Sequence, residues 1–94
     1  MTRSITVYGR ENCQPCRATR RRLDVLGVAY QFRNVETYNY GRLEDDLRAS
    51  GYRSLPVVEV THDDGNLETW SGFRPDKLDQ LAAEPLFDMP EGTR

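Results

Sequence analysis

The sequence predicts an α/β fold of order β-α-β-α-β-β-α, a four-stranded mixed sheet flanked by three helices. Three observations carry that prediction. Two strand patterns, over residues 4–8 and 30–35, bracket a helical stripe within about 30 residues, as a βαβ unit requires. A valine run opened by Pro56 is followed by dense turn formers and a second strand pattern, which makes a hairpin. Pro75 then stands where a last short helix begins. A mixed sheet covered by helices is the compact solution for such a string.

Taken in order, Ser4-Ile5-Thr6-Val7-Tyr8 is β-branched and aromatic and is closed by Gly9, so it reads as a buried strand. Beyond a short loop, Cys16, Thr19, Leu23 and Leu26 recur at helical spacing, with Arg17, Arg20, Arg21 and Asp24 facing elsewhere. Gly27 is the expected stop. The run Arg20-Arg21-Arg22 reads as a solvated helix face. Tyr30 to Val35 alternates with period two and is the second strand, parallel to the first. Thr37 to Gly41 reads as a loop whose tyrosines pack locally. A second helix is expected from about Arg42 to Ser50, with Leu43 and Leu47 inward and Gly51 ending it.

Arg53-Ser54-Leu55-Pro56 leads into the strand Val57 to Thr61, where a proline at the first residue is tolerated. His62-Asp63-Asp64-Gly65-Asn66 turns the chain, and Leu67 to Trp70 returns antiparallel. The last helix turns Leu78 and Leu81 inward. The expected organisation is one domain over residues 1–82 and a loosely held tail over 83–94, with Leu86, Phe87 and Met89 able to lie on the body.

Ninety-four residues suit a single small core. A net charge of −2 gives no general drive toward nucleic acid or anionic membrane. No apolar run reaches membrane-spanning length and the N-terminus lacks signal-peptide anatomy, so the cytoplasm is the expected compartment. Cytosolic thiols are kept largely reduced, which makes a lone cysteine pair catalytic or metal-binding rather than structural.

That pair is Cys13-Gln14-Pro15-Cys16, placed where the first strand gives way to the first helix. Cys-x-x-Cys at such a junction reads as a redox centre. Cys13 falls at the helix cap, where unpaired backbone N–H groups and the helix dipole favour an anion. Arg10 and Arg17 add positive charge. In such a setting a thiol pKa falls from about 8.5 toward about 7, so Cys13 is expected to attack a disulfide. Cys16, one turn on and on the buried stripe, is expected to resolve the mixed disulfide. A zinc site would need two further ligands, and the chain offers one distant histidine, His62. Haem attachment is excluded because Arg17 stands where Cys-x-x-Cys-His needs histidine. No resident metal is expected.

Leu55-Pro56 opens the strand that this topology brings beside the cysteine loop. With a cis bond, the backbone of Leu55 would face the dithiol and could pair with an extended substrate. Gln14, Pro15, Arg10, Leu55 and Pro56 are therefore the expected lining of the site.

Together these residues carry a family resemblance. The cysteine loop after the first strand, Leu55-Pro56 before the third, and a Gly-containing turn before the last helix resemble the glutaredoxin branch of the thioredoxin superfamily. Cys-x-x-Cys-x-Ala-Thr at 13–19 and Trp70-Ser71-Gly72-Phe73-Arg74-Pro75 are similar, more sharply, to the NrdH-type redoxins. The similarity spans residue 4 to about residue 82; the tail and the longer 62–66 turn depart from it. The resemblance implies a thioredoxin/glutaredoxin-like fold and a monomeric thiol–disulfide oxidoreductase. It implies electrons taken from thioredoxin reductase and passed to the large subunit of class Ib ribonucleotide reductase. The chain would bind no cofactor beyond its own Cys13–Cys16 disulfide, with NADPH and FAD used by the reductase.

The same resemblance contains a rival, a glutathione-dependent glutaredoxin. Such proteins hold the glutamyl end of glutathione with a Gly-Gly turn followed by an acidic residue. Aligned on Gly72, this chain has Ser71 at the first glycine and Arg74 and Pro75 where polar and acidic groups would sit. Pro75 has no N–H and no charge, so it cannot hold an ammonium. Trp70 to Pro75 is expected instead to dock a partner protein, with exposed Phe73 and Arg74 foremost, because aromatics and arginine dominate interface energies. For Trp70, core packing is an equal expectation. A non-enzymatic dithiol module, a metal carrier or redox sensor, is the remaining alternative.

Overall fold

The computed structural model describes residues 3–83. The sheet runs β2-β1-β3-β4. The strand β1 (Ser4–Gly9) pairs in parallel with β2 (Gln31–Asn34) and antiparallel with β3 (Val57–Thr61), which pairs antiparallel with β4 (Leu67–Ser71). Three helices complete the chain: α1 (Gln14–Leu26), α2 (Arg42–Ala49) and α3 (Pro75–Ala83). The expected order and mixed sheet are therefore present. The segment 37–41, read as a loop, closes instead into a 3₁₀ turn, Tyr38–Gly41, that runs into α2. The tail expected over 83–94, with Leu86, Phe87 and Met89, lies outside the described residues from 84 onward.

One face of the sheet builds the core. Ile5 and Val7 alternate inward from β1 and Val58 and Val60 from β3, and Leu23, Trp70, Leu78 and Leu81 close over them. Period-two alternation on the strands and a three-to-four spacing on the helices bring these side chains to one layer. Gly27 ends α1 in the left-handed region at φ 73°, and the N–H of Val28 donates to the Leu23 carbonyl at 3.0 Å. Glycine takes that conformation without a Cβ penalty. The stripe read on α1 is buried at Cys16, Thr19 and Leu23, while Val25, off the stripe, is 76% exposed.

The second helix turns its expected pair inward, but only shallowly. No residue of α2 is buried, and its inward pair, Leu43 and Leu47, is only half-covered. Eight residues give too few turns for a continuous apolar stripe, and between the two leucines stand Glu44, Asp45 and Asp46. What ties α2 inward is an ion pair from Glu44 to Arg10, at the end of β1.

Candidate active site

Register puts the site together. Val57 pairs with Tyr8, so Pro56 arrives opposite Gly9, where β1 hands over to the cysteine loop. Cys13 is the N-cap of α1, extended at φ −104° and ψ 118°, and its Sγ accepts the N–H of Cys16 at 3.3 Å. A sulfur thus fills the place usually taken by a Ser or Asp oxygen, and it does so at the positive end of the helix dipole. Cys13 and Cys16 are joined as a disulfide with their Cα atoms 5.2 Å apart. Cys13 is half-exposed and Cys16 fully buried, which is the asymmetry an attacking and a resolving sulfur require. Gln14 and Pro15 form the exposed outer side of the loop.

The Leu55-Pro56 bond is cis. The Leu55 carbonyl oxygen lies 3.9 Å from Cys13 Sγ, so this backbone faces the dithiol. Pro56 is buried, and its carbonyl accepts the Gly72 N–H at 2.7 Å. That bond fastens the 70–75 segment to the strand start beside Cys13. Gly72 holds φ 85°, a backbone state that favours glycine.

The 70–75 segment divides into two parts. Trp70 is 6% exposed and packs in the core, so its ring is not a docking surface. It alternates inward on β4, and Lys77 Nζ covers it at 5.7 Å from the ring centroid. Ser71 and Gly72 are half-exposed, whereas Phe73, Arg74 and Pro75 stand at the surface. Arg74 donates from Nε and Nη2 to Asp76 at 3.1 and 3.0 Å.

Arg10 lies with Leu55 on one hollow, and its charge is engaged. It pairs with Glu44, and its Nε lies 3.2 Å from Glu36 but off the hydrogen-bond direction. Two carboxylates therefore offset its charge before that charge reaches Cys13. The run Arg20-Arg21-Arg22 also splits. Arg20 lies 4.0 Å over the Phe32 ring and 3.7 Å from Glu11, and Arg22 donates to Asp79 on α3 at 2.9 and 2.8 Å. Arg21 is left exposed to solvent.

Sequence reasoning missed three residues here. Gly9 is one: a Cβ at this position would stand 2.6 Å from Cys16 Sγ. A glycine ending a strand just before a reactive loop is a legible signal for such close approach. Glu36 and Glu44 are the others. Nothing local marks them, since they reach Arg10 only through the fold.

Comparison with known proteins sharpens the picture. The glutaredoxin family model matches residues 5–64. The glutaredoxin-like protein NrdH of Salmonella typhimurium is 43% identical over 82 residues, covering 87% of this chain and 93% of that protein. The gene 56 protein of Mycobacterium phage D29 is 37% identical over 81 residues, with 82% and 80% covered. Among solved structures, the glutaredoxin-like NrdH-redoxin of Escherichia coli, described as having a thioredoxin-like activity profile, superposes with a TM-score of 0.71. It is 38% identical and covers 87% of this chain and 99% of that one.

Proposed function

Since this chain belongs to the glutaredoxin family, on its NrdH branch, and is a thiol–disulfide oxidoreductase, we propose that it takes electrons from thioredoxin reductase and NADPH. It delivers them to the large subunit of a class Ib ribonucleotide reductase. The Cys13 thiolate attacks one sulfur of the target disulfide, forming a mixed disulfide and releasing one target thiolate, which takes up a proton. Cys16 then loses its proton and attacks Cys13, releasing the second target thiol. The target gains two electrons and the chain is left with its Cys13–Cys16 disulfide. The reductase restores the dithiol, using its own flavin and nicotinamide; this chain binds neither. The work is cytoplasmic, in keeping with a dithiol that must be found reduced. No helix among the described residues is long and apolar enough to cross a membrane.

The observation that carries the choice of electron donor is the state of the groups a glutathione clamp would use. Pro75 offers neither N–H nor charge, Phe73 adds a half-exposed ring, and Arg10 is already held by Glu36 and Glu44. The thioredoxin-like activity described for the E. coli relative points the same way. Arg10, Gln14, Pro15, Leu55 and Pro56 line the site in this reading, and Phe73 with Arg74 leads the docking of the partner.

Two coupled assays test it. Turnover with NADPH and thioredoxin reductase is expected to exceed turnover with glutathione and its reductase. Efficient recycling by glutathione alone overturns the reading. Cys16→Ser is expected to accumulate a mixed disulfide through Cys13, visible by non-reducing electrophoresis, and its absence counts against the assigned roles.

A further inference from the structure

Among the described residues, Arg10, Arg20, Arg22, Arg48 and Arg74 pair with carboxylates, while Arg42 and Arg53 stand apart from one another without a partner. Arg17 and Arg21 have none among the described residues, and both are exposed. They stand four apart on α1, so they are neighbours on one helix face, an arrangement of like charges that disfavours the helix unless an anion relieves it.

The surface between them is hollowed. Gln14, Arg17, Ala18 and Arg21 line a depression of about 270 Å³ that begins at Gln14, the residue after Cys13 in the chain. A second, of about 240 Å³, shares Ala18 and Arg21 with it and ends against Val25 and Phe73. The two make one groove along α1, cationic near the dithiol and apolar at its far end. Val25 is 76% and Phe73 39% exposed, so the apolar end is open. The eleven helical steps from Gln14 to Val25, at 1.5 Å each, give it a length of about 16 Å, the span of about five extended residues.

We propose that this groove receives an acidic segment flanking the disulfide that Cys13 attacks. Two carboxylates on the same side of an extended strand, two positions apart in sequence, lie about 7 Å from each other and match the arginine pair. An apolar side chain of the same segment seats against Val25 and Phe73. The inference rests on Cys13 as the attacking sulfur and adds the chemistry of the partner. The electron transfer is unchanged: the segment's disulfide is reduced to two thiols as Cys13 and Cys16 are oxidised.

The test uses the full reduced chain and synthetic peptides carrying a Cys-Ser-Ser-Cys disulfide beside Glu-Ser-Glu-Ser-Leu, or beside the same run with glutamines, on either flank. The acidic peptide is expected to be reduced about tenfold faster at low salt, an advantage that shrinks as salt rises. Arg17→Glu with Arg21→Glu is expected to abolish or invert that preference. Arg42→Glu, at an arginine of α2 without a partner among the described residues, keeps it. Hydroxyethyl disulfide, small and neutral, measures any change in Cys13 reactivity that Arg17→Glu itself brings, so a loss of the acidic-over-glutamine rate ratio beyond that change reports the groove. Equal rates for acidic and glutamine peptides overturn the proposal while leaving the dithiol chemistry standing. Failure of the unaltered protein to reduce any of these disulfides removes both. Arginine-dependent self-association, or arginine-dependent protection of residues 84–94 from protease, assigns the groove to the chain itself and also overturns it.

Discussion

The helices α1 and α2 are held by opposite means. The first buries Cys16, Thr19 and Leu23 against the sheet and reaches α3 through the Arg22–Asp79 bridge. No residue of the second is fully buried, and its Glu44 meets Arg10 at the end of β1 and Arg48 on its own next turn. Burial is non-directional and tolerates salt, whereas ion pairs at partly exposed groups are screened and contribute little individually. The contrast teaches where the molecule can yield. Cys16 sits on the helix that packing holds. The wall of the site formed by α2 sits on charges, around a hollow of about 90 Å³ that includes Arg10, Leu47, Arg53 and Leu55.

Truncation offers the sharpest way to break this comparison. Leu23→Ala, at a fully buried position, is expected to cost about 3 kcal/mol in denaturant unfolding. Leu47→Ala, on half-covered α2, is expected to cost about 1 kcal/mol or less. Equal losses would show that α2 is core-anchored after all.

Next in size is Gly9→Ala, which presses a methyl group on Cys16 Sγ and Cβ, 2.6 and 3.1 Å away. Overpacking of this kind costs about 1–3 kcal/mol. Because the pressure falls on the resolving sulfur, the mixed disulfide through Cys13 is expected to live longer than in the unaltered protein. Stopped-flow release of the target thiol measures it, and an unchanged lifetime would separate stability from resolution.

Glu44→Gln leaves Arg10 with Glu36 and removes the partner of Arg48. Global stability is expected to change by less than about 1 kcal/mol. Amides of residues 42–49 should exchange faster while those of 14–26 hold, and high salt should bring the unaltered protein toward the same pattern. Parallel acceleration in both helices would dissolve the distinction.

The smallest effect belongs to a charge cluster outside both helices. Glu68 accepts from His62 at 3.1 Å and from Lys77 at 3.2 Å, and those contacts, the His62 hydrogen bond foremost, hold its carboxyl below the usual range against the opposing pull of burial. A carboxyl depressed in the folded state stabilises above its unfolded pKa and loses that contribution as pH falls through the folded value. Acid titration of unfolding free energy below the ordinary carboxylate range should therefore fall less steeply in Glu68→Gln. The difference is expected to be slight, because the group is a third exposed.

Much of the site was legible before any coordinates. The cysteine loop, the cap at Cys13, the buried side of Cys16 and the stop at Gly27 all follow from spacing and local backbone chemistry, which act within a turn or two of the chain. The element order was legible for the same reason, since periods of two and of three to four are local. The inner face of α2, Leu43 and Leu47, was legible as a direction, but two leucines in eight residues do not show how shallow the cover is.

What only the tertiary structure decided involves partners far apart in sequence. Arg10 reads as a free positive charge beside a thiol until Glu36 and Glu44 are brought to it. Trp70 could face a partner or the core until β4 takes its register and turns the ring inward. Arg17 and Arg21 differ from Arg20 and Arg22 only in which acids and rings the fold sets within reach. A sequence states what charge or surface a side chain carries; whether that charge is offset or that surface covered depends on neighbours that chain folding alone supplies.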